Sequence, residues 1–294
     1  NYDRGFVGRF GLKAQTVSIE GFIRGPIFNH MGITSDPLTE EKRAQLPVPS
    51  ARDEVFETTE VLQNGLIRRH LHQAAAPSEH HSDDDQIPDP ELDADALFDL
   101  VSWAMLLAAP KPGPETTASA AGEVLFEDLA CAVCHVPALV GPRGAIPAYS
   151  DLLLHDMGPD LADGITMGLA EGFEFRTTPL WGIGAVGPYL HDGRAATLDE
   201  AIRLHGGEAQ TSANAYRALT KAQQDTVVAF LLSLGEDTVR SQGLIPPGTP
   251  IGTSGELGAP RFELTETERQ VWLAGRRLFD HDYSFTDGLG PHFS

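Results

Sequence analysis

The two cysteines of this 294-residue chain lie three apart, in the run "CAVCH" at residues 131–135, with a histidine directly after the second. A short helical turn can present both thiols to one edge of a flat group while the next imidazole swings beneath its centre. This is the C-x-x-C-H signature of covalent haem attachment, with thioether bonds from Cys131 and Cys134 and an iron ligand from His135. Other uses of the motif explain less. A disulfide leaves His135 without a purpose, a thioredoxin-like pair needs a βαβ context that the flanking sequence lacks, and zinc needs further thiols. A chain that carries haem c here must wrap loops around it and close them with helices.

The flanks agree with that demand. A helix opening near Ala118 carries Gly122, Leu125, Phe126 and Leu129 ahead of Cys131, and Gly122 allows a second helix to approach closely. A closing helix starts at Thr220, carries Val227, Val228, Phe230, Leu231 and Leu234, and stops at Gly235. Between them lie about 70 residues rich in Gly, Pro and turn formers, too many for a bare connection in a compact domain unless they wrap something. Upstream, Leu97, Leu100, Val101, Ala104, Met105 and Ala108 recur at helical spacing, which predicts a helix over Glu91–Ala109 ended by Pro110. Residues 76–93 form an acidic, proline-punctuated loop, and "GLIPPGTPIGTSGELGAP" is an extended connector to a last helix, "TETERQVWLAGRRLF". The chain thus divides into 1–112, 115–240 and 241–294.

Twenty-one net negative charges exclude nucleic acid and anionic membranes as partners, because phosphate recognition rests on clustered Lys and Arg. Basic or neutral partners suit this surface better. No apolar run approaches the ~20 residues that span a bilayer. The start "NYDRGF" has neither an initiator Met nor a signal-peptide core, so the chain is expected to be processed or cut from something longer.

A second iron ligand has five candidates: His155, Met157, Met167, His191 and His205. In "TLDEAIRLHGGEA", Thr197 and Glu200 make a capping box that sets the helix phase. Leu198, Ala201, Ile202 and His205 then fall on one apolar face, with Gly206 and Gly207 leaving room behind. That geometry suits an iron ligand, and equally a core histidine bonded to backbone.

The run "CAVCHVP…IPAYSDLLLHDMGPDLADG…EFRTTPLWGIG…PYLHDGRAATLDEAIRLHGGEA…VVAFLLSL" resembles the bacterial di-haem oxidoreductases often labelled thiol oxidoreductases. More distantly it is similar to the di-haem cytochrome c peroxidases and the MauG proteins. In those relatives the distal ligand of the second haem, a methionine or a tyrosine, follows the "HDG" histidine by fourteen residues; the residue at that position here is His205. The resemblance implies a mainly α fold: a cytochrome c-like helical domain at 115–240 with long haem-wrapping loops, and part of a neighbouring cytochrome c-like unit at 1–112. The segment 241–294 resembles the start of a first-haem unit. His191 then becomes a supporting residue beside the haem, Arg176 and Arg194 suit propionate pairing, and Trp181 is core or haem packing. Met157 remains the alternative distal ligand. Some related peroxidases hold Ca²⁺ between domains, which makes the acidic "EHHSDDD" a candidate for it.

Besides the histidine at the distal position, the family pattern is broken in its motif count. Di-haem relatives carry two CxxCH motifs and this chain has one, with its outer segments in inverted order. The expected function is therefore a c-type haem electron-transfer module of a di-haem or multihaem peroxidase-like oxidoreductase, with any catalytic haem outside this segment. The alternative is a non-catalytic electron carrier or structural subunit of a multihaem assembly. Partners are redox proteins or other haem domains. Thioether attachment places the protein in the periplasm or on the cell surface.

Overall fold

The computed structural model describes residues 7–48, 80–141, 143–235, 249–254, 256 and 258–289, together with the backbone of two strands at 56–61 and 67–72. The fold is mainly α-helical with small sheets. Its α-helices are α1 (Ile19–Pro26), α2 (Glu40–Arg43), α3 (Ala94–Leu106), α4 (Thr117–Asp128), α5 (Leu198–Leu204), α6 (Gln210–Ala218), α7 (Lys221–Ser233) and α8 (Glu266–Phe279). Three antiparallel pairs complete it: β1 (Phe56–Val61) with β2 (Ile67–His72), β3 (Leu139–Gly141) with β4 (Gly144–Ile146), and β5 (Leu154–Asp156) with β6 (Glu174–Arg176).

Helix ends follow the caps. Thr116, Thr220 and Thr265 each begin a helix with a reciprocal capping box, to Ser119, Gln223 and Glu268 respectively. α3 is three residues shorter at each end than its apolar spacing predicts. Asp93 caps it by accepting from the amides of Asp95 and Ala96, and Leu107 turns extended so that the Ala108 amide reaches the Ala259 carbonyl. At α5 the expected reciprocal box is only half present. The Thr197 hydroxyl accepts from the Glu200 amide at 3.1 Å, but the Glu200 carboxylate reaches the Ala196 amide at 2.8 Å instead.

Two helix crossings organise two cores. α4 meets α7 at Gly122, where any side-chain carbon would overlap the Thr226 carbonyl, so glycine alone permits the approach. Around this crossing pack Phe126, Leu129, Leu198, Ala201, Tyr216, Val227, Phe230 and Leu231. α3 meets α8 in the same manner at Gly275, against the Asp99 carbonyl and Trp103. The second core gathers Ile33, Leu38, Leu92, Leu97, Leu100 and Val101, with Leu278 and Tyr283 packed against it. Segments from the two ends of the chain therefore share one core.

The charges of α1 are also internal. Glu20, 3% exposed, accepts from the Leu38 amide and from Arg43 Nε and Nη2. Arg24, 2% exposed, donates to the Ser35 hydroxyl and carbonyl. Fully partnered buried charges of this kind fix one arrangement of loop and helix. The unit 115–240 is not closed to residues before it. Arg176 takes the Leu12 carbonyl through its amide and the Gly11 carbonyl through Nε, at 2.8 and 2.9 Å.

Candidate haem site

The chain leaves α4 through Ala130, a non-glycine residue in the left-handed region at φ 59°. It turns at once into a 3-10 segment, Cys131–Val133, and the His135 amide closes the turn on the Cys131 carbonyl at 2.9 Å. Both cysteines are free thiols. Burial pushes Cys131 up to about 11, and Cys134 is raised by burial and by Asp151 and Glu208. Thiols held protonated in this way are poor nucleophiles, and Cys134 also lies with Asp151 and His155 in a group whose ligand atoms come within 4.8 Å of one another.

His135 is oriented from behind. Its Nδ1 lies 2.9 Å from the Tyr149 carbonyl. A carbonyl only accepts, so Nδ1 carries the proton and Nε2 keeps its lone pair. Burial pushes this imidazole down to about 4, so it stays neutral near pH 7. The carbonyl is aimed by Tyr149 itself, a non-glycine residue held at φ 49°, while its neighbours tie down through Ser150 to Val136 and Asp151 to Cys134, both at 2.9 Å. Phe126, Tyr149 and Phe230 form a mutually packed aromatic wall beside it.

His205 is built the same way. It caps the C-terminus of α5, and its Nδ1 donates to the Ala201 carbonyl at 2.7 Å, again leaving Nε2 free. Burial lowers its proton affinity too. Cys131, ahead of His135, and Ala201 and Ile202, ahead of His205, pack in one core with Phe126, and a charge on His205 would disfavour one on His135. The space behind His205 is filled by backbone. A side-chain carbon on Gly206 would stand 2.8 Å from the Met157 carbonyl, and one on Gly158 would stand 2.9 Å from the Gly207 amide. Met157, the rival ligand, therefore lies beside His205 on the loop after β5.

The remaining candidates are otherwise engaged. Both nitrogens of His155 are taken, Nε2 by Asp151 and Nδ1 by Glu208, each at 2.9 Å, and Cys134 Sγ lies 3.7 Å from Nδ1. Burial alone would lower this imidazole; the bonds to Glu208 and Asp151 outweigh it and hold it above the usual value. Met167 sits on a tight turn paired with Ala170, 39% exposed. His191 stacks on Phe175 at 4.1 Å, and burial lowers its proton affinity. Arg194 pairs with Asp192 at 2.5 Å and donates to the Asp160 carbonyl at 2.6 Å. Arg176 and Arg194 thus brace loops around the site through backbone carbonyls, and Trp181 is partly buried. In the acidic loop, ligand atoms of Asp83, Asp85 and Glu91 come within 4.8 Å of one another; residues 76–79 of that loop lie outside the described residues.

Four contributors have no signal in the sequence pattern or only a faint one. Tyr149 acts through its carbonyl, which any residue carries. Glu208 and Asp151 join only through His155. Lys13, 4% exposed, donates to the carbonyls of Glu171 and Gly172, pairs with Asp163 at 3.1 Å and lies 3.7 Å from the Phe175 ring centre.

A family model described as "Di-haem oxidoreductase, putative peroxidase" matches residues 4–234. The chain belongs to the di-haem oxidoreductase family. As a di-haem oxidoreductase it is a haem protein, and the site can be tested for that group: two free thiols at attachment spacing and two neutral imidazoles with unused Nε2 atoms fit it. Among solved structures, hydrazine synthase of Kuenenia stuttgartiensis, pressurised with 20 bar xenon, is similar at 23% identity and a TM-score of 0.34, over 47% of this chain and 54% of that one. This di-haem oxidoreductase therefore spans about half the length of that chain. Comparison with curated proteins gives no match. No helix among the described residues is long and apolar enough to cross a membrane.

Proposed function

We propose that residues 115–240 of this di-haem oxidoreductase are a c-type haem electron-transfer module, with Cys131 and Cys134 forming the thioether bonds and His135 and His205 as the two iron ligands. One observation carries this reading: two neighbouring imidazoles each have Nδ1 locked on a backbone carbonyl and Nε2 unused. Bound there, haem supplies one-electron iron chemistry. The protein's part is orientation and shielding. The Tyr149 and Ala201 carbonyls fix each ring's tautomer and strengthen its lone pair, and burial keeps protons off both rings. The wall of Phe126, Tyr149 and Phe230 excludes water. His191, Arg176 and Arg194 hold the loop segments between β5 and α5.

His135 and His205 together would hold a haem with no position left open on its iron and would lower its potential relative to a His/Met site, which suits relay of electrons to and from redox proteins or other haem domains. Peroxide turnover, the activity in the family's description, then belongs to a haem outside these residues. Attachment chemistry places the protein in the periplasm or at the cell surface. Ca²⁺ at Asp83, Asp85 and Glu91 remains a secondary part of the proposal, supported by their convergence alone.

The test is spectroscopic. The denatured chain should keep its haem by mass spectrometry, and the ferric protein should be low-spin with no methionine–iron charge-transfer band. His205→Ala should turn it high-spin and open it to cyanide, while Met157→Ala should leave it low-spin. The reverse pattern replaces His205 by Met157. Haem counting by pyridine haemochrome, with a peroxide assay under a reduced donor, separates relay from peroxidase: one haem without turnover fits the relay, and turnover by the one-haem chain overturns it.

A further inference from the structure

We propose that the cavity between residues 249–264 and α8 binds a small organic anion, with an apolar body and a terminal carboxylate or phosphate. The cavity measures about 660 Å³, within the range of small-molecule sites. One side is apolar, made by Ile251, Phe262, Leu264 and Leu273. The other is cationic, made by Arg276 and its neighbour Arg277 on one turn of α8 and by Arg269 two turns earlier.

The three arginines are unequal. Arg276 is 7% exposed; Nε pairs with Asp280 at 3.2 Å, Nη1 donates to the Thr249 carbonyl at 2.9 Å, and Nη2 is sealed from solvent with no acceptor. Sealed in this way, Nη2 cannot be reached from the cavity, so Arg276 lends the wall its positive charge while the groups open to a ligand are Arg269 and Arg277. Arg269 and Arg277 are exposed on the same wall and make no side-chain ion pair or hydrogen bond among the described residues. Glu263 and Asp280 also line the cavity, and Asp280 is already matched to Arg276. That leaves two free guanidiniums against one free carboxylate. In a chain of net charge −21 such a local cationic excess is against the prevailing composition. Guanidinium forks beside an apolar wall select an anionic head on a hydrophobic body.

The experiment uses the haem-loaded full chain and decanoate as probe, followed by isothermal titration calorimetry. Decanoate should bind saturably, at least tenfold more tightly than decanol, and at least tenfold more weakly to the Arg269→Gln/Arg277→Gln double variant. These two side chains are exposed, so the variant should melt at the wild-type temperature without ligand. The haem spectrum should not change on titration, which separates this site from the iron. Absence of saturable binding by both decanoate and decyl phosphate, or equal binding to wild type and double variant, overturns the proposal.

Discussion

Lys13 shows how a single side chain can couple distant parts of a chain. Its ammonium group is nearly sealed, and its four contacts come from residues 163–175, some 150 positions away in sequence. Replacing it by Met keeps most of the volume but removes the donor to the Glu171 and Gly172 carbonyls, while Asp163, which is exposed, turns to water. The expected loss is roughly 1–2 kcal/mol, read as a lower urea midpoint at unchanged slope. His155 gives a second residue-scale prediction. It ties Asp151, beside the attachment turn, to Glu208, just past His205, and neither of its nitrogens is free. His155→Gln should therefore lower stability by roughly 1–2 kcal/mol without changing the iron spin state. Its folded-state proton affinity is raised, so this contribution is full below the unfolded value near 6.5 and fades as pH rises through the higher folded value. Comparing wild type and variant from pH 5 to 9 checks that sign. His205 was singled out in sequence because helical spacing and a family position coincide on it, and its role as an iron ligand is our proposal. Tyr149 and Lys13 were not singled out: one acts through its backbone, and the other's partners are set by tertiary approach that no local pattern encodes.

The starts of α7 at Thr220 and of α8 at Thr265 match their sequence reading because capping is a contact within four residues, whereas α4 was placed from near Ala118 and its cap is Thr116. α3 was over-read by its apolar spacing because tertiary demands stop it: Ala108 leaves the helix to pair with Ala259. Gly122 was expected to admit a neighbouring helix and does so. Gly275 makes the matching crossing, and its partner α3 is too remote in sequence to be foreseen. Gly122→Ala and Gly275→Ala should each cost about 1–3 kcal/mol by forcing helices apart, and only the former should broaden the haem spectrum. α5 is seven residues long and cannot hold itself. Asp199 anchors it, paired with Arg203 at 2.7 Å and accepting from the Tyr216 hydroxyl at 2.7 Å. Asp199→Asn should loosen the helix that delivers His205, seen as a mixed-spin ferric spectrum and faster amide exchange over 198–205. Arg203 and Tyr216 hold the Asp199 proton affinity below the usual value, so this anchor persists to low pH and fails only as pH falls through that depressed value.

At the scale of the whole molecule, charge and connectivity set behaviour. With 42 acidic against 21 basic residues, approach of a basic electron donor is steered by attraction. Its bimolecular rate should drop roughly tenfold or more between low and physiological ionic strength, in stopped-flow reduction, while a neutral donor shows almost no change. Connectivity follows from the two crossings. The α4–α7 pair lies in one continuous stretch, from Thr117 to Ser233, whereas α3 ends at Leu106 and meets α8 only from Glu266 onward. Chains fold as they emerge, earlier units first, and closing a long loop delays the contacts that depend on it. The stretch from Thr117 to Ser233 can thus fold on the emerging chain while the apolar stripe of α3 stands bare, awaiting a helix not yet delivered. A chaperone hold on that stripe is the need this order of arrival creates, and pulsed proteolysis during refolding should cut at α3 after 117–233 has become resistant.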